Sequence, residues 1–360
     1  MSKLIVAQSI PCLPEDPITP FTFACQLFSG RQVRDRFNVL NEYSDFNWID
    51  TVDPIPEPRD TPLKELMDRR AQDFLGKKVV TQWSGGVDST SIVLALIKNG
   101  IHKDDLLILH DDGSVQENPK LYHFLKDNEY NIKEVKHWRK ELGSVDTDVI
   151  TNGWCADQLF GSIFFHEAYA QYNFELVKFL SSVTGPFDPK LTEEQAKEFA
   201  QVYKDAAKKL FNLDLNIAAE LGWYINFTMK WTWVSTFNEL YLFGTKNKNK
   251  TDCFFNTDYF QSWSIFNYPN IAKHNIYGED ARYYKRELKE YCYEVFPDDE
   301  FLLKKTKFPS WNGALSHTEE DEFRLTFKLD DGYRIYSVPY DSIGNIAYPF
   351  QGKFFTRFKK

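Results

Sequence analysis

The sequence predicts an α/β protein: a mainly parallel sheet with flanking helices, then a helical second half and a small C-terminal β-hairpin. Three observations carry this. Short β-branched runs alternate with helix-period segments from about residue 63 to 165. Two of those runs end in glycine-containing turns that feed helices. After about residue 165 the period becomes helical. Strands alternating with helices imply right-handed βαβ units, and both turns then fall at the carboxyl edge of the sheet, where open α/β folds bind ligands.

The elements follow in order. Residues 1–61 lack a clear period and carry the proline-rich stretches PEDPITP and TVDPIPEPRDTP, so they are expected to form an appendage or cap. A domain over 62–315 opens with PLKELMDRRAQDFL, whose Leu63, Leu66, Met67 and Leu75 have roughly helical spacing. KVVTQW is a buried strand, and TSIVLALIKN is a helix beginning near Ser89, with Gly100 at its C′ position. DLLILH, NIKEVKHW and TDVIT are three further strands, and NPKLYHFLKDN is a helix with Leu121, Phe124 and Leu125 on one side. In LTEEQAKEFAQVYKDAAKKLF, Thr192 and Gln195 form a capping box ahead of an apolar stripe at Phe199, Val202, Ala206 and Leu210. DYFQSWSIFNYPNIAKHN and DARYYKRELKEYCYEVF are two more helices. An extension over 316–360 holds FRLTFKLDDGYRIYSVPY, a hairpin with Asp331-Gly332 as its turn.

Composition narrows the function classes. Aromatics reach 16%, with 31 Phe and 19 Tyr, and their first use is to fill a core. A net charge of −9 does not suit a broad electrostatic grip on a nucleic-acid backbone, although a local basic strip stays open. No apolar run is long enough for a membrane span, and the N-terminus has no signal-peptide pattern, so a cytoplasmic location is expected. Cys12, Cys25, Cys155, Cys253 and Cys292 are scattered without a CxxC pair, which fits free thiols in a reducing compartment and gives no support for a zinc or iron–sulfur site.

The chemistry concentrates in KKVVTQWSGGVDSTSIVLALIKNG, residues 77–100. Gly85 and Gly86 let backbone approach an anion, successive N–H groups can form a nest, and the following helix adds its positive end. Ser84, Ser89 and Thr90 offer hydroxyl donors, so the candidate phosphate loop runs through Ser84, Gly85, Gly86, Val87, Asp88, Ser89 and Thr90. Asp88 would repel a phosphate unless a cation such as Mg²⁺ lies between them. The lysine of the common GxxxxGK[ST] nucleotide loop is missing, which argues against γ-phosphoryl transfer. A loop that holds a leaving pyrophosphate suits these residues better. The simpler alternative is a glycine-rich turn that only ends a strand.

SGGVDST resembles the SGGxDS loop of the N-type ATP pyrophosphatases, the PP-loop superfamily, whose members split ATP into AMP and pyrophosphate while adenylating a carboxylate or carbonyl. The resemblance implies an adenine nucleotide alpha-hydrolase-like fold. TNGWCADQLFGS (151–162) is similar to the SGxGADELFGG segment of the asparagine synthetase and β-lactam synthetase branch, matching at Gly153, Ala156, Asp157, Leu159, Phe160 and Gly161. In that branch the aspartate helps hold Mg²⁺–pyrophosphate, which implies Asp88 and Asp157 as the two metal carboxylates. The alternative for Asp157 is a carboxylate serving its helix dipole. Trp154, Cys155, Gln158 and Ser162 depart from the branch, which puts its usual acid substrate in doubt.

A weaker likeness covers 280–311, where Lys285 and Leu288 match a K-x-x-L-R-type helix, Pro297 a break, and Lys305 with Phe308 an RxKxGF-like segment. By that likeness Lys305 stabilises charge at the adenylate, with Lys304 and Lys307 as rivals and a solvated lysine cluster as the alternative. DCFFNTDYFQSW (252–263) resembles the PFLDxxL stretch without its upstream acid, and Asn249 stands about where that acid belongs. The three lysines of TKNKNKT are expected to be solvated. His110 and Asp111 lie where such folds place adenosine, or form a simple loop.

The branch's glutaminase domain begins with a cysteine after Met1. Here Ser2 follows Met1 and only about 60–75 residues precede the core, so that domain is expected to be absent. The resemblance therefore implies an ATP-dependent, AMP-forming C–N ligase that uses ATP and Mg²⁺. A small-molecule carboxylate would attack the α-phosphorus, and ammonia, another amine, an intramolecular amine or nitrogen from a partner would displace AMP. Two alternatives stay open: adenylation of a nucleobase or nucleotide, with aromatic rings stacking on bases, and a non-catalytic nucleotide-binding relative.

Overall fold

The structure is a computed structural model. It describes residues 4–7, 19–20, 23–24, 36–37, 40, 54–161, 175–182, 191–231, 234–235, 242, 245–276, 285–298, 301, 322–329 and 332–339. The chain divides into two compact units, one of Pro56–His166 with Phe237–Ser316, the other of Met1–Ile55, Glu167–Thr236 and His317–Lys360. Glu167–Thr236 thus goes with both terminal segments, whereas the sequence reading drew one continuous domain over 62–315.

The first unit holds a four-stranded, all-parallel sheet: β1 (Val79–Gln82), β2 (Leu106–His110), β3 (Asn131–Glu134) and β4 (Val149–Thr151), in the order β3–β2–β1–β4. Val79 pairs with Leu106 on one side and with Val149 on the other. The chain builds outward from β1 through β2 to β3, then crosses back to set β4 against the free side of β1. β1 and β4 therefore flank the switch in strand order, the place where loops diverge and leave a crevice at the carboxyl ends. Ile150 bridges onward to Thr251, which extends the ladder by one backbone contact.

The helices of this unit are α1 (Leu63–Gln72), α2 (Val87–Lys98), α3 (Asp112–Glu117), α4 (Pro119–Asp127), α5 (Trp138–Ser144), α6 (Ala156–Phe160), α7 (Asp258–Ile276) and α8 (Arg286–Val295). α2 is buried along nine of its residues from Val87 to Leu96, which explains why its later part, Ile92–Ile97, is apolar without a stripe. Gly100 has φ of +82°, as a left-handed helix end requires. On one side of the sheet Val80, Leu109 and Ile150 pack with Val135, Leu142 and Leu242. Phe160, Phe254, Phe255, Phe260 and Trp263 form a contiguous ring cluster, so part of the aromatic excess does fill the core.

The second unit contains the helices Leu176–Ser182, Glu193–Phe211 and Ala218–Ile225, the last continuing into a π-helix at Asn226–Lys230. Thr192 and Gln195 form the expected reciprocal capping box. The buried face of Glu193–Phe211 is centred on Phe199, Tyr203, Ala206 and Ala207. Tyr203 thus occupies the core position that spacing alone had given to Val202. Leu4–Ala7 pairs antiparallel with Glu322–Leu329, which pairs with Gly332–Pro339. The N-terminal apolar patch, read as aperiodic, is therefore a strand; four residues are too few to show an alternation. Leu329 pairs with Gly332, so Gly332 begins the second strand and is not a central residue of the turn.

Candidate functional site

The glycine turn after β1 is shaped by its own hydroxyls. Trp83 N–H donates to the Leu109 carbonyl at 2.8 Å, the last rung before the chain leaves the sheet. The Ser84 amide donates to Ser89 Oγ at 3.0 Å, and the Ser84 and Ser89 hydroxyls lie 3.0 Å apart. Thr90 Oγ1 donates to the Gly85 carbonyl at 3.2 Å and accepts from the Trp83 indole N–H at 3.1 Å. Ser89 and Thr90 are buried, and both hydroxyls bond to carbonyls of the loop itself. α2 starts at Val87, earlier than the sequence suggested, with Gly86 as its N-cap and no side chain capping it. Its first N–H groups are the donors a phosphate would meet.

Gly85 is required twice over. Its φ is +75°, and a Cβ there would lie 2.5 Å from the Ser114 carbonyl oxygen and 2.8 Å from Glu117 Cβ. Both belong to α3, a short helix ahead of the one expected over NPKLYHFLKDN. Its cap is Asp111, whose Oδ1 accepts from the Ser114 amide at 2.9 Å and the Ser114 hydroxyl at 2.7 Å. Asp111 thus serves α3, and the buried His110 ring packs edge-on to Trp83 and Tyr122.

The second turn follows β4. Asn152 Nδ2 donates to Gln82 Oε1 at 3.2 Å, tying the ends of β4 and β1, while Asn152 Oδ1 accepts from the Trp154 amide at 3.2 Å. The Phe254 amide donates to the Asn152 carbonyl at 3.2 Å. That neighbouring segment is itself fixed by buried Arg70, which donates to the Phe254 carbonyl at 3.1 Å and pairs with Asp252. Cys155 is the N-cap of α6 with φ of +71°, a strained conformation for a residue with a Cβ. The second turn then packs on the first through Gly153, where a Cβ would stand 3.0 Å from Asp88 Cβ.

This close approach sets Asp88, the second residue of α2, facing Asp157, the second residue of α6. Between them lies Lys285. Its Nζ donates to both Asp88 oxygens at 2.6 Å and to Asp157 Oδ1 at 2.7 Å. The lysine side chain is 3% exposed, whereas those of Asp88 and Asp157 are 28% and 31% exposed. Lys285 is the N-cap of α8 with φ of +49°, a second left-handed residue beside the clamp. α8 is fastened at a distance from the site. Tyr291 OH donates to Asp68 Oδ1 at 2.7 Å, and Asp68 on α1 also accepts from Lys98 Nζ at 2.8 Å and Asn99 Nδ2 at 2.9 Å. Burial pushes the Tyr291 phenol well above its usual range, with the neighbouring Asp68 acting in the same direction. Burial opposes the Asp68 charge, but the hydrogen bonds from Lys98, Asn99 and Tyr291 prevail and hold its carboxyl below the ordinary range.

The structure thus brings together Ser84, Gly85, Gly86, Val87, Asp88, Ser89, Thr90, Gly153 and Asp157 at adjacent strand ends. Lys304, Lys305, Lys307, Phe308 and Ser162 lie outside the described residues. The lysine at the clamp is Lys285, which sequence reading matched only as the start of a helix. The K-x-x-L spacing marks the helix, and Leu288 one turn on is buried, but that spacing carries no signal for the clamp. Of the lysines in TKNKNKT, Lys250 donates to the Thr147 carbonyl at 2.5 Å and is not simply solvated.

Among the described residues no group of three or more His, Cys, Asp or Glu side chains is placed to hold a metal. The Asp88–Asp157 pair is a two-carboxylate set, below that number. Mg²⁺ takes one or two carboxylates and completes its octahedron with water and phosphate oxygens, and these two carboxylates already converge on one cation-sized point. No protein-family model and no curated protein sequence matches the chain.

Proposed function

We propose that the chain is an ATP-dependent ligase that adenylates a carboxylate, releases pyrophosphate, and passes the acyl group to ammonia or an amine. The observation that carries this reading is the clamp of Asp88, Lys285 and Asp157 at the switch point of a parallel sheet, beside an uncapped helix N-terminus. A γ-phosphoryl-transfer loop of the GxxxxGK[ST] type would place a lysine within the glycine turn itself. Here the lysine comes from α8 and meets two carboxylates, an arrangement of mixed charge suited to a metal-bound polyphosphate.

In this reading the amides of Gly86, Val87 and Asp88 and the Ser84 hydroxyl receive the pyrophosphate portion of ATP. Asp88 and Asp157 would hold Mg²⁺, which supplies neutralisation of charge on the leaving pyrophosphate. The substrate carboxylate attacks the α-phosphorus as the bond to the pyrophosphate oxygen breaks. In the same reading Lys285 would stabilise the negative charge that develops, the role expected by resemblance of Lys305. The amine then attacks the acyl carbon, AMP departs, and the amine loses a proton. The turn packing fixes the geometry in advance, which is where such a site obtains its rate.

The experiment is ATP–pyrophosphate exchange with pools of carboxylic acids and no amine. The reading expects exchange dependent on one acid pool and on Mg²⁺, and lost in Asp88→Ala. Exchange that depends on a nucleoside pool instead would move the reading to base modification. The absence of exchange with every pool would count against adenylation.

A further inference from the structure

We infer that Lys285 is the resting counter-ion of the Asp88–Asp157 pair, closing it to free divalent cations until nucleotide phosphates arrive, so that metal and nucleotide enter together. This rests on the reading of the pair as the metal carboxylates of the ligase. The contacts are saturated: a lysine ammonium has three N–H donors, and three carboxylate oxygens receive them at 2.6, 2.6 and 2.7 Å. The approach directions differ. The lysine is 3% exposed and enters from the protein side, while Asp88 and Asp157, at 28% and 31%, keep a solvent-facing side.

A bare divalent ion arriving from solvent would meet a carboxylate pair already half compensated, with all three engaged oxygens taken up by the ammonium behind them. Both effects oppose its binding. A metal carried on a polyphosphate meets a different situation. The phosphate oxygens offer the ammonium new acceptors, and Lys285 can exchange carboxylate partners for phosphate without losing its hydrogen bonds. The carboxylates are then released to the metal. The Lys285 backbone is held by the helix that follows, its carbonyl accepting from the Lys289 amide at 3.1 Å, so the exchange is assigned to its side chain.

The test uses Mn²⁺ as the probe, followed by water-proton relaxation on the full chain. Without nucleotide, wild type should take up Mn²⁺ weakly, and α,β-methylene ATP should bring Mn²⁺ onto the protein. Lys285→Met should bind Mn²⁺ alone more than about tenfold tighter than wild type, because the opposing charge is gone. Adding Asp157→Asn to that variant should abolish the gain. Tight uptake by nucleotide-free wild type that Asp157→Asn removes would overturn the inference, and needs no lysine variant to fold. Equal weak uptake by wild type and a folded Lys285→Met would overturn it as well. If the Mn²⁺ results hold but no acid supports pyrophosphate exchange, the counter-ion role stands and the ligase reading falls.

Discussion

Gly153 lies against Asp88 so closely that an added Cβ would stand 3.0 Å from Asp88 Cβ and 3.3 Å from the Ser89 nitrogen. The second turn therefore rests on the first residues of α2, and this contact brings Asp157 within reach of the same lysine. Neither neighbour is a flexible side-chain end, so neither can move aside cheaply. Gly153→Ala should lower unfolding stability by about 1–3 kcal/mol, the usual cost of overpacking. Urea unfolding measures the stability, and pyrophosphate release should fall in the same variant even at temperatures where it remains folded.

Gly85 and Gly100 separate conformational strain from steric need. Both have positive φ, +75° and +82°, but only Gly85 would meet α3, while Gly100 has nothing within 4 Å. Gly100→Ala should cost about 1 kcal/mol from backbone strain alone. Gly85→Ala should cost clearly more, since its Cβ would lie 2.5 Å from the Ser114 carbonyl oxygen. Comparison of the two unfolding midpoints under the same conditions checks this.

Lys285→Met should reduce turnover by about 100- to 1,000-fold, the scale of losing one preorganised charge at a transition state. Lys285→Arg should not restore it. The point between the carboxylates is nearly closed to solvent and suits a compact ammonium, and a planar guanidinium needs more room. Single-turnover measurement of AMP formation separates this from effects on amine attack.

The Tyr291–Asp68 contact predicts a pH window for the seating of α8. Asp68 is held below its ordinary range, so its stabilisation is present above an unfolded value of about 3.9 and is lost as pH falls below that. Tyr291 is raised, so its contribution is full below an unfolded value of about 10 and declines as pH rises beyond it. Tyr291→Phe should cost about 1 kcal/mol at neutral pH and flatten the alkaline limb of stability. Thermal unfolding across pH 3–11 reads both limbs.

Much of the sheet was legible because buried parallel strands read as short β-branched runs: VVTQ, LLILH and VIT each became a strand. The phosphate loop and Asp157 were legible for a related reason, since glycines and acids at strand ends have local meaning. Lys285 was not, because its role depends on how α8 docks on α2, more than a hundred residues away in sequence. The cap role of Asp111 was missed because α3 is only six residues long and leaves no periodic signal. The pairing of Leu4–Ala7 with Glu322–Leu329 is wholly non-local, and no pattern within either strand announces it.

The most direct measurement is product identity from ATP. Purified protein is incubated with Mg-ATP and pools of acids and amines, and AMP with pyrophosphate is resolved from ADP with phosphate. AMP and pyrophosphate, dependent on one acid pool and lost in Asp88→Ala, is the expected result. ADP and phosphate would contradict it, because the glycine turn would then be serving the γ-phosphate after all.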